Sequence, residues 1–254
     1  MTEAQHSSSA DHGTALGVFA GPIRSLRSPR EPGGIATAWR SAILKTPLTA
    51  PTHVGALGLH GDAQKEKKHH GGPMKAVLVY AASHYASWTG SLAPHAALHA
   101  DTLRQMSPAV DASVYGYGAF GENLTVDGLA EHSVFLGDVW QIGGCRLQIT
   151  EPRGPCATLT RRWMRPALLN EVKSSAAAGW YNAVIEEGPV APGDTLSLVT
   201  RVQDDFSVER VFHLLEQRTV PRAEAQALHD APFIHGALRA RLARRLSTAG
   251  RTRP

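Results

Sequence analysis

The sequence predicts a mainly β protein of the α+β class, with a compact barrel-like β domain and a small C-terminal bundle of three helices. Short runs that alternate polar and apolar residues recur up to Gln203, and Gly- and Pro-rich turns separate them. Past that point the apolar residues follow the spacing of an amphipathic helix, at Val208, Val211, Phe212 and Leu215. A chain of 254 residues can bury one sizeable core with a small appendage.

Local signals then predict the elements in order. Alternation and β-rich composition predict strands at residues 16–20, 41–45, 54–59, 75–80, 131–139, 144–150, 180–185 and 195–202. Helical composition predicts helices at residues 95–104 and 166–178. Gly143-Gly144 predicts a hairpin turn before Cys145. Residues 25–34 combine prolines, a glycine pair and arginines, so we expect a mobile loop there.

Two further helices follow the first amphipathic one. Pro221 opens a helix that runs to about His229, and a third helix carries an apolar stripe at Ile234, Leu238, Leu242 and Leu246. Each helix is too short to be stable alone, so we expect packing among them or on the barrel. We therefore divide the chain into a disordered N-terminus (1–14), a β-barrel domain (15–203) and a three-helix unit with a basic tail (204–254).

The composition is that of a soluble globular protein, with 43% hydrophobic and 19% charged residues and a net charge of +4. No apolar run approaches the ~20 residues needed to cross a bilayer. The polar N-terminus lacks a secretory signal, so we expect a cytoplasmic protein without membrane contact. Six arginines follow Asp230, the last acidic residue. No aromatic residue is interleaved with them, so they predict a solvated helix face rather than a nucleic-acid-binding surface.

The two cysteines are too few for a disulfide framework or a cysteine-only zinc cluster, and they have different surroundings. Cys145 alternates with apolar residues, which predicts a small buried hydrophobic side chain. Cys156 ends the segment Pro152-Arg153-Gly154-Pro155-Cys156, where the prolines restrict φ and the glycine permits a tight bend. A turn of this kind beside a basic side chain is typical of a cysteine that binds a ligand or acts as a nucleophile.

Three basic residues lie where a strand meets a turn: Lys45, Lys75 and Arg153. If they converge on one mouth of the barrel, they would bind a phosphate or another anion; if they do not, each is simply solvated. No phosphate-binding loop of the GxxxxGK[ST] type and no GxSxG elbow occurs. Nucleotide hydrolysis and serine-hydrolase chemistry therefore lack their minimum signatures.

Two glycine-rich segments supply the other candidates. His70 precedes Gly71-Gly72, which permit close approach of the backbone to a ligand. Neighbouring histidines in a strand would face opposite sides, so His69-His70 does not predict a zinc site. Asn123 lies in a tight turn, where it either contributes an amide to a site or serves only as a turn residue.

Five segments, taken in this order, resemble the MOSC domain, which is named for the C-terminal part of molybdenum cofactor sulfurases. The resemblance is to its bacterial YiiM-type branch and covers roughly residues 16–246. The segments are His70-Gly71-Gly72 with Lys75-Ala76-Val77 and Tyr80, Gly121-Glu122-Asn123-Leu124, Gly137-Asp138, Pro152-Arg153 with Pro155-Cys156, and Gly179-Trp180-Tyr181 with Pro192-Gly193-Asp194.

This resemblance implies a MOSC-type β-barrel that carries the molybdenum cofactor (Mo-molybdopterin) and reduces N-hydroxylated compounds, such as hydroxylaminopurine-type base analogues, in detoxification. It implies that Cys156 is the thiolate ligand of molybdenum. It also implies a pocket for cofactor or substrate lined by Lys45, His70, Lys75, Asn123 and Arg153. Pyridoxal phosphate binding is a further property associated with the family. Electrons would come from a separate flavin or iron–sulfur protein, because two cysteines cannot hold a cluster.

Two alternatives stay open, namely a sulfur carrier with a persulfide on Cys156 and a non-catalytic protein that binds and delivers the molybdenum cofactor. The arginine-rich last helix could instead dock an acidic electron-transfer partner, and a homodimer is compatible with the sequence. Relative to what we expect of the branch, residues 25–34 look like an insertion and residues 65–68 are more basic.

Overall fold

The computed structural model describes residues 11–66, 70–217 and 220–249, and its centre is a closed β-barrel. The described strands are β1 (His12–Ala20), β2 (Arg24–Ser28), β3 (Thr37–Ser41), β4 (Thr46–Pro47), β5 (Thr52–Gly55), β6 (Gly58–Leu59), β7 (Val77–Ala81), β8 (Leu124–Asp127), β9 (Val139–Ile142), β10 (Cys145–Pro152), β11 (Trp180–Glu186), β12 (Gly188–Val190) and β13 (Thr195–Thr200). Seven of them form the barrel in the order β13, β9, β10, β11, β7, β8 and β1, and β1 pairs back with β13. The predicted mainly β fold class is confirmed.

Neighbouring barrel strands are antiparallel except for β7 and β8, which are parallel. The described helices are α1 (Ser83–Leu98), α2 (Ala100–Arg104), α3 (Ala157–Trp163), α4 (Leu168–Ser175), α5 (Val208–Glu216), α6 (Arg222–Asp230) and α7 (Gly236–Ala249). A parallel pair needs a long crossover connection, and α1 and α2 lie within it. The single helix predicted at residues 95–104 is in fact two, the end of α1, which starts at Ser83, and the whole of α2.

All five residues of β7 are buried, because both faces of this strand are covered. Val77, Val79 and Ala81 belong to the apolar core of the barrel. Tyr80 belongs to a second core formed with α1, α3 and α4, and its ring centroid lies 4.6 Å from that of Phe120. The two-residue period of a strand therefore places one core on each side of the same barrel wall.

The three predicted C-terminal helices are present as α5, α6 and α7. Val211, Leu228 and Leu238, one from each helix, belong to the same apolar cluster as Trp140 of β9. The boundary that we place between residues 203 and 204 is thus a change of secondary structure and not a gap in the core. Within the described ranges, no helix is long and apolar enough to cross a membrane.

The structure differs from our expectations near the N-terminus. Residues 1–10 lie outside the described residues, but β1 begins at His12, inside the segment for which we expected disorder, because His12 pairs with Ser197 of β13. The predicted mobile loop at residues 25–34 is wrong for its first four residues, which belong to β2. Leu26 lies opposite Trp39 in the β2–β3 hairpin and is 2% exposed, so an apolar pair stabilises the strands.

The strands predicted at residues 41–45 and 131–139 are largely wrong. The hydroxyl of Ser41 accepts a hydrogen bond from the backbone N–H two residues later, and β3 ends at this serine. Asp138 Oδ2 accepts a hydrogen bond of 3.0 Å from the N–H of Phe135, which closes a turn, and the second segment shares only its last residue, Val139, with β9. Local bonds from side chain to backbone compete with strand pairing, and alternation of polarity does not reveal them.

The solvated helix face that the sequence predicts is wrong for three arginines of α7, which bind backbone carbonyls, whereas Arg244 is exposed and Arg251 and Arg253 lie outside the described residues. Arg241 Nη2 donates to the carbonyl oxygen of Leu215 at 3.2 Å, and Arg245 Nη1 donates to that of Gln217 at 2.9 Å. Arg239 donates to two carbonyls that precede α7. The last carbonyls of a helix have no partner within it. Arg241 and Arg245 therefore complete the C-terminus of α5 and hold α7 against it.

Glu122 anchors the loop before β8, although its side chain is fully buried. Its carboxylate accepts hydrogen bonds from the N–H of Gly118 at 2.7 Å, from that of Phe120 at 3.1 Å, from Thr125 Oγ1 at 2.8 Å and from the Tyr85 hydroxyl. A buried carboxylate is retained when such partners replace its hydration. In the Gly-Glu-Asn motif the acid therefore has a structural role.

Replacing Glu122 with alanine is expected to destabilise the protein by about 3 kcal/mol, because several buried donors lose their acceptor. Thermal unfolding should show a midpoint lower by about 8 °C. Glu31→Ala is the matched control, since this carboxylate is exposed and makes no ion pair among the described residues. Equal midpoints for the two variants would contradict the anchoring role of Glu122.

Candidate functional site

Cys156 lies on the wall of a cavity of about 650 Å³. It follows the turn that ends β10, and it is the residue directly before α3. The sequence analysis missed α3, because the proline-rich turn hides the start of a helix. Cys145, in contrast, is fully buried in the barrel core, and burial raises the pKa of its thiol to about 12. Of the two cysteines, Cys156 is the one that a ligand can reach.

The surroundings of Cys156 favour its thiolate form. Burial alone would raise the pKa of this thiol, but a hydrogen bond with His70 and the charge of Arg153 outweigh it and lower the pKa to about 6. At neutral pH the sulfur is therefore mostly ionised. A thiolate is the form in which cysteine binds soft transition metals or attacks an electrophile.

Arg153 brings a buried positive charge next to this sulfur. The residue is 5% exposed, its Nε has no hydrogen-bond partner among the described residues, and no described carboxylate lies within 4 Å of its guanidinium. Buried charges are normally paired, so the structure leaves room for an anion at this end of the cavity. The thiolate of Cys156 supplies one negative charge, and a phosphate group would supply another.

Lys45 and Asn123 also line the cavity, but both are bonded to Asp62. Asn123 Nδ2 donates to Asp62 Oδ2 at 2.9 Å, and Lys45 Nζ forms a buried ion pair with the other oxygen of the same carboxylate. Burial lowers the pKa of Lys45, and the ion pair opposes this shift. The sequence analysis missed Asp62, since it lies 17 and 61 residues from these partners and no local pattern marks it.

Lys75 and His70 meet at Tyr181. Lys75 Nζ lies 5.3 Å from the centre of the Tyr181 ring and 2.5 Å from Glu151 Oε1. The Tyr181 hydroxyl lies 2.8 Å from His70 Nδ1. Burial raises the pKa of Tyr181, so its hydroxyl stays protonated and can donate this hydrogen bond. His70 therefore bridges the tyrosine and the sulfur of Cys156.

The structure thus brings all six candidate residues from the sequence to the wall of one cavity: Lys45, His70, Lys75, Asn123, Arg153 and Cys156. Within the part of the chain that the structure describes, no three His, Cys, Asp or Glu side chains converge as a metal site. A metal at this position would depend on the Cys156 thiolate and on ligands other than the described side chains. A pterin dithiolene cofactor has ligands of this type.

The exposed end of the cavity, which we call the mouth, is lined by Arg30, Trp39, Arg40 and Arg161. The first three come from the β2–β3 hairpin and the fourth from α3. The sequence analysis did not find them as site residues, because it predicted a loop in place of β2 and no helix at α3. Only the pairing of β2 with β3 places Trp39 beside Arg161, at 4.8 Å between guanidinium and ring.

Comparison with known proteins agrees with the fold and the sequence motifs. The sequence profile of the MOSC domain matches residues 66–197. The Escherichia coli protein named YiiM is 35% identical to this chain over 164 residues, which is 65% of this chain and 66% of that protein. A Gibberella moniliformis protein named "Reductase" is 30% identical over 209 residues, which is 82% of this chain but about a third (33%) of that longer protein.

A solved structure supports the same conclusion. The crystal structure of YiiM from Geobacillus stearothermophilus superposes on this chain with a TM-score of 0.68, at 24% identity, and the match covers 92% of this chain and 99% of that one. At this identity the likeness concerns the fold alone. The match to the MOSC sequence profile establishes the family, since it spans more than half of the sequence. This chain belongs to the MOSC domain family.

Proposed function

We propose that this protein is a molybdenum-cofactor-dependent reductase of N-hydroxylated compounds, with Cys156 as the protein ligand of the metal. The observation that carries the proposal is a low-pKa thiolate beside a buried guanidinium without a carboxylate partner, on one cavity wall. The cavity of about 650 Å³ falls within the usual size of small-molecule sites. Family membership and the relative named "Reductase" support the same reaction class.

Each residue has a role that its contacts suggest. Cys156 provides a soft, ionised sulfur, and His70 and Arg153 keep it ionised. Arg153 would bind the phosphate of the pterin through charge-assisted hydrogen bonds. Tyr181 orients His70 through its hydroxyl. When bound, the molybdenum cofactor would supply the two electrons that reduction of N–OH to N–H and water requires, and a separate flavin or iron–sulfur protein would replenish them.

The same thiolate also suits a sulfur carrier, which would hold a persulfide on Cys156 without a metal. A delivery protein would hold the cofactor without turnover. Both alternatives differ from the reductase in a measurable way, because only the reductase combines stoichiometric molybdenum with N-hydroxy reduction. Protein produced in a host that makes the molybdenum cofactor, analysed for metal, pterin and persulfide, therefore separates the three.

Cys156→Ser is expected to remove molybdenum and N-hydroxy reduction together, because serine is not a soft ligand. Cys145→Ser should keep both, at some cost in thermal stability, since it places a hydroxyl in the barrel core. Metal analysis and turnover with a chemical electron donor provide the readouts. Full activity in Cys156→Ser would refute the assignment of the ligand.

Arg153→Met is expected to lower the pterin content by about tenfold, because a charge-assisted contact to phosphate is lost. Arg153→Lys keeps the charge and should retain more cofactor than the methionine variant. Arg146→Met is the matched control, since this arginine is exposed at the other end of β10. Pterin released from purified protein is measured by fluorescence. Equal pterin content in Arg153→Met and Arg146→Met would rule out the phosphate anchor.

Alkylation should report the low pKa of Cys156 directly in cofactor-free protein. In a Cys145→Ala background, the rate with iodoacetamide should rise with pH around a midpoint of about 6, because only the thiolate reacts. His70→Ala removes a hydrogen bond that favours the thiolate, so its midpoint should move upward. A midpoint near the ordinary cysteine value of about 8.5 without the His70 change would contradict the structure.

A further inference from the structure

The β2–β3 hairpin is fixed to the helix that begins directly after Cys156. Arg161 of α3 donates from Nη2 to the carbonyl oxygens of Thr37 at 3.0 Å and Ser28 at 3.4 Å. Trp39 stacks under this guanidinium and donates from Nε1 to the hydroxyl of Ser28 at 3.0 Å. The hairpin is therefore a fixed wall of the cavity at a set position relative to the thiolate.

This wall carries guanidinium groups that form no ion pair among the described residues. Among the described residues, no carboxylate lies within 4 Å of the guanidinium groups of Arg30, Arg40 or Arg161. Burial lowers the pKa of Arg161, and the charge of Arg30 lowers it further, so these two groups are close enough to repel. An anion between them would relieve this repulsion and gain charge-assisted hydrogen bonds.

The mouth is separate from the inner cation. Arg153 is buried beside Cys156, whereas Arg30 and Arg40, which line the same cavity, are exposed to solvent. The phosphate of the pterin would bind either at Arg153 or at the mouth. We place it at Arg153, because this residue lies beside the thiolate that would bind the metal of the same cofactor. The mouth is then available for an anionic group of the substrate, which is the second molecule that must enter the cavity. Trp39, half-buried on the same wall, offers an aromatic surface next to the arginines.

We propose that Arg30, Arg40 and Arg161 form a phosphate subsite for the substrate, so that the protein prefers phosphorylated N-hydroxylated compounds with an aromatic base, that is nucleotides, over the unphosphorylated compounds. This inference rests on the proposed function for the reacting N–OH group. Phosphate binding at the mouth does not depend on the chemistry and can be measured without it.

Calorimetric titration of the cofactor-free protein with adenosine 5′-monophosphate and with adenosine, at 150 mM salt, tests the subsite. We expect the monophosphate to bind at least about tenfold more tightly than the nucleoside. Arg30→Gln and Arg40→Gln should each remove most of this difference. Arg27→Gln is the matched control, because this arginine is exposed on the same hairpin but does not line the cavity. Equal affinity for both compounds, or an equal loss in Arg27→Gln, would overturn the proposal.

Turnover by the cofactor-loaded enzyme then separates the subsite from the proposed function. We expect kcat/KM to be higher for N6-hydroxyadenosine monophosphate than for the free base, and Arg40→Gln to lower only the former. If the base is reduced but the phosphate brings no advantage, the function stands and the subsite fails. If the monophosphate binds through Arg30 and Arg40 but no N-hydroxy compound is reduced, the subsite stands and the function fails. A fall in pterin content in Arg40→Gln would assign the mouth to a phosphate of the cofactor and overturn the proposal.

Discussion

The pairing of β10 with β11 is the interaction on which the geometry of the site depends. Its register sets Glu151 opposite Tyr181, and the N–H of Arg153 donates to the carbonyl oxygen of Gly179 at 2.9 Å. The chain therefore leaves the sheet at a defined point, with the turn to Cys156 beside the tyrosine. A slip of one residue would turn Tyr181 to the opposite face of the strand and separate it from the thiolate.

Among the cavity cations that the sequence analysis named, two have a carboxylate partner and one does not. Lys45 is paired with Asp62 and Lys75 with Glu151, whereas Arg153 has no carboxylate partner among the described residues. A buried guanidinium without a carboxylate partner costs folding free energy, which the two apolar cores must offset. The folded chain thus maintains an attraction for anions next to a thiolate, and this combination is what makes the site suitable for an anionic metal cofactor.

The C-terminal helices also take part in the surroundings of the thiol. His235, directly before α7, lies 3.6 Å from Glu151, which is itself paired with Lys75. Arg241 of α7 lines a second cavity of about 360 Å³, and Cys156 lies on the wall of this cavity too. The apolar core that α5, α6 and α7 share with the barrel holds these side chains in place. A unit that differs in secondary structure is therefore not independent of the site.

The sequence by itself determined the mainly β class, the three C-terminal helices and which cysteine is accessible, because apolar periodicity and proline–glycine turns act over a few residues. The tertiary structure decided which charges remain free. Lys45 is neutralised by an aspartate 17 residues away, and Arg241 and Arg245 of α7 are bonded to carbonyls at the end of α5. It also decided that the hairpin places Trp39 beside Arg161 at the mouth. Charge pairing and cavity walls depend on distances between remote segments, and local sequence patterns do not contain those distances.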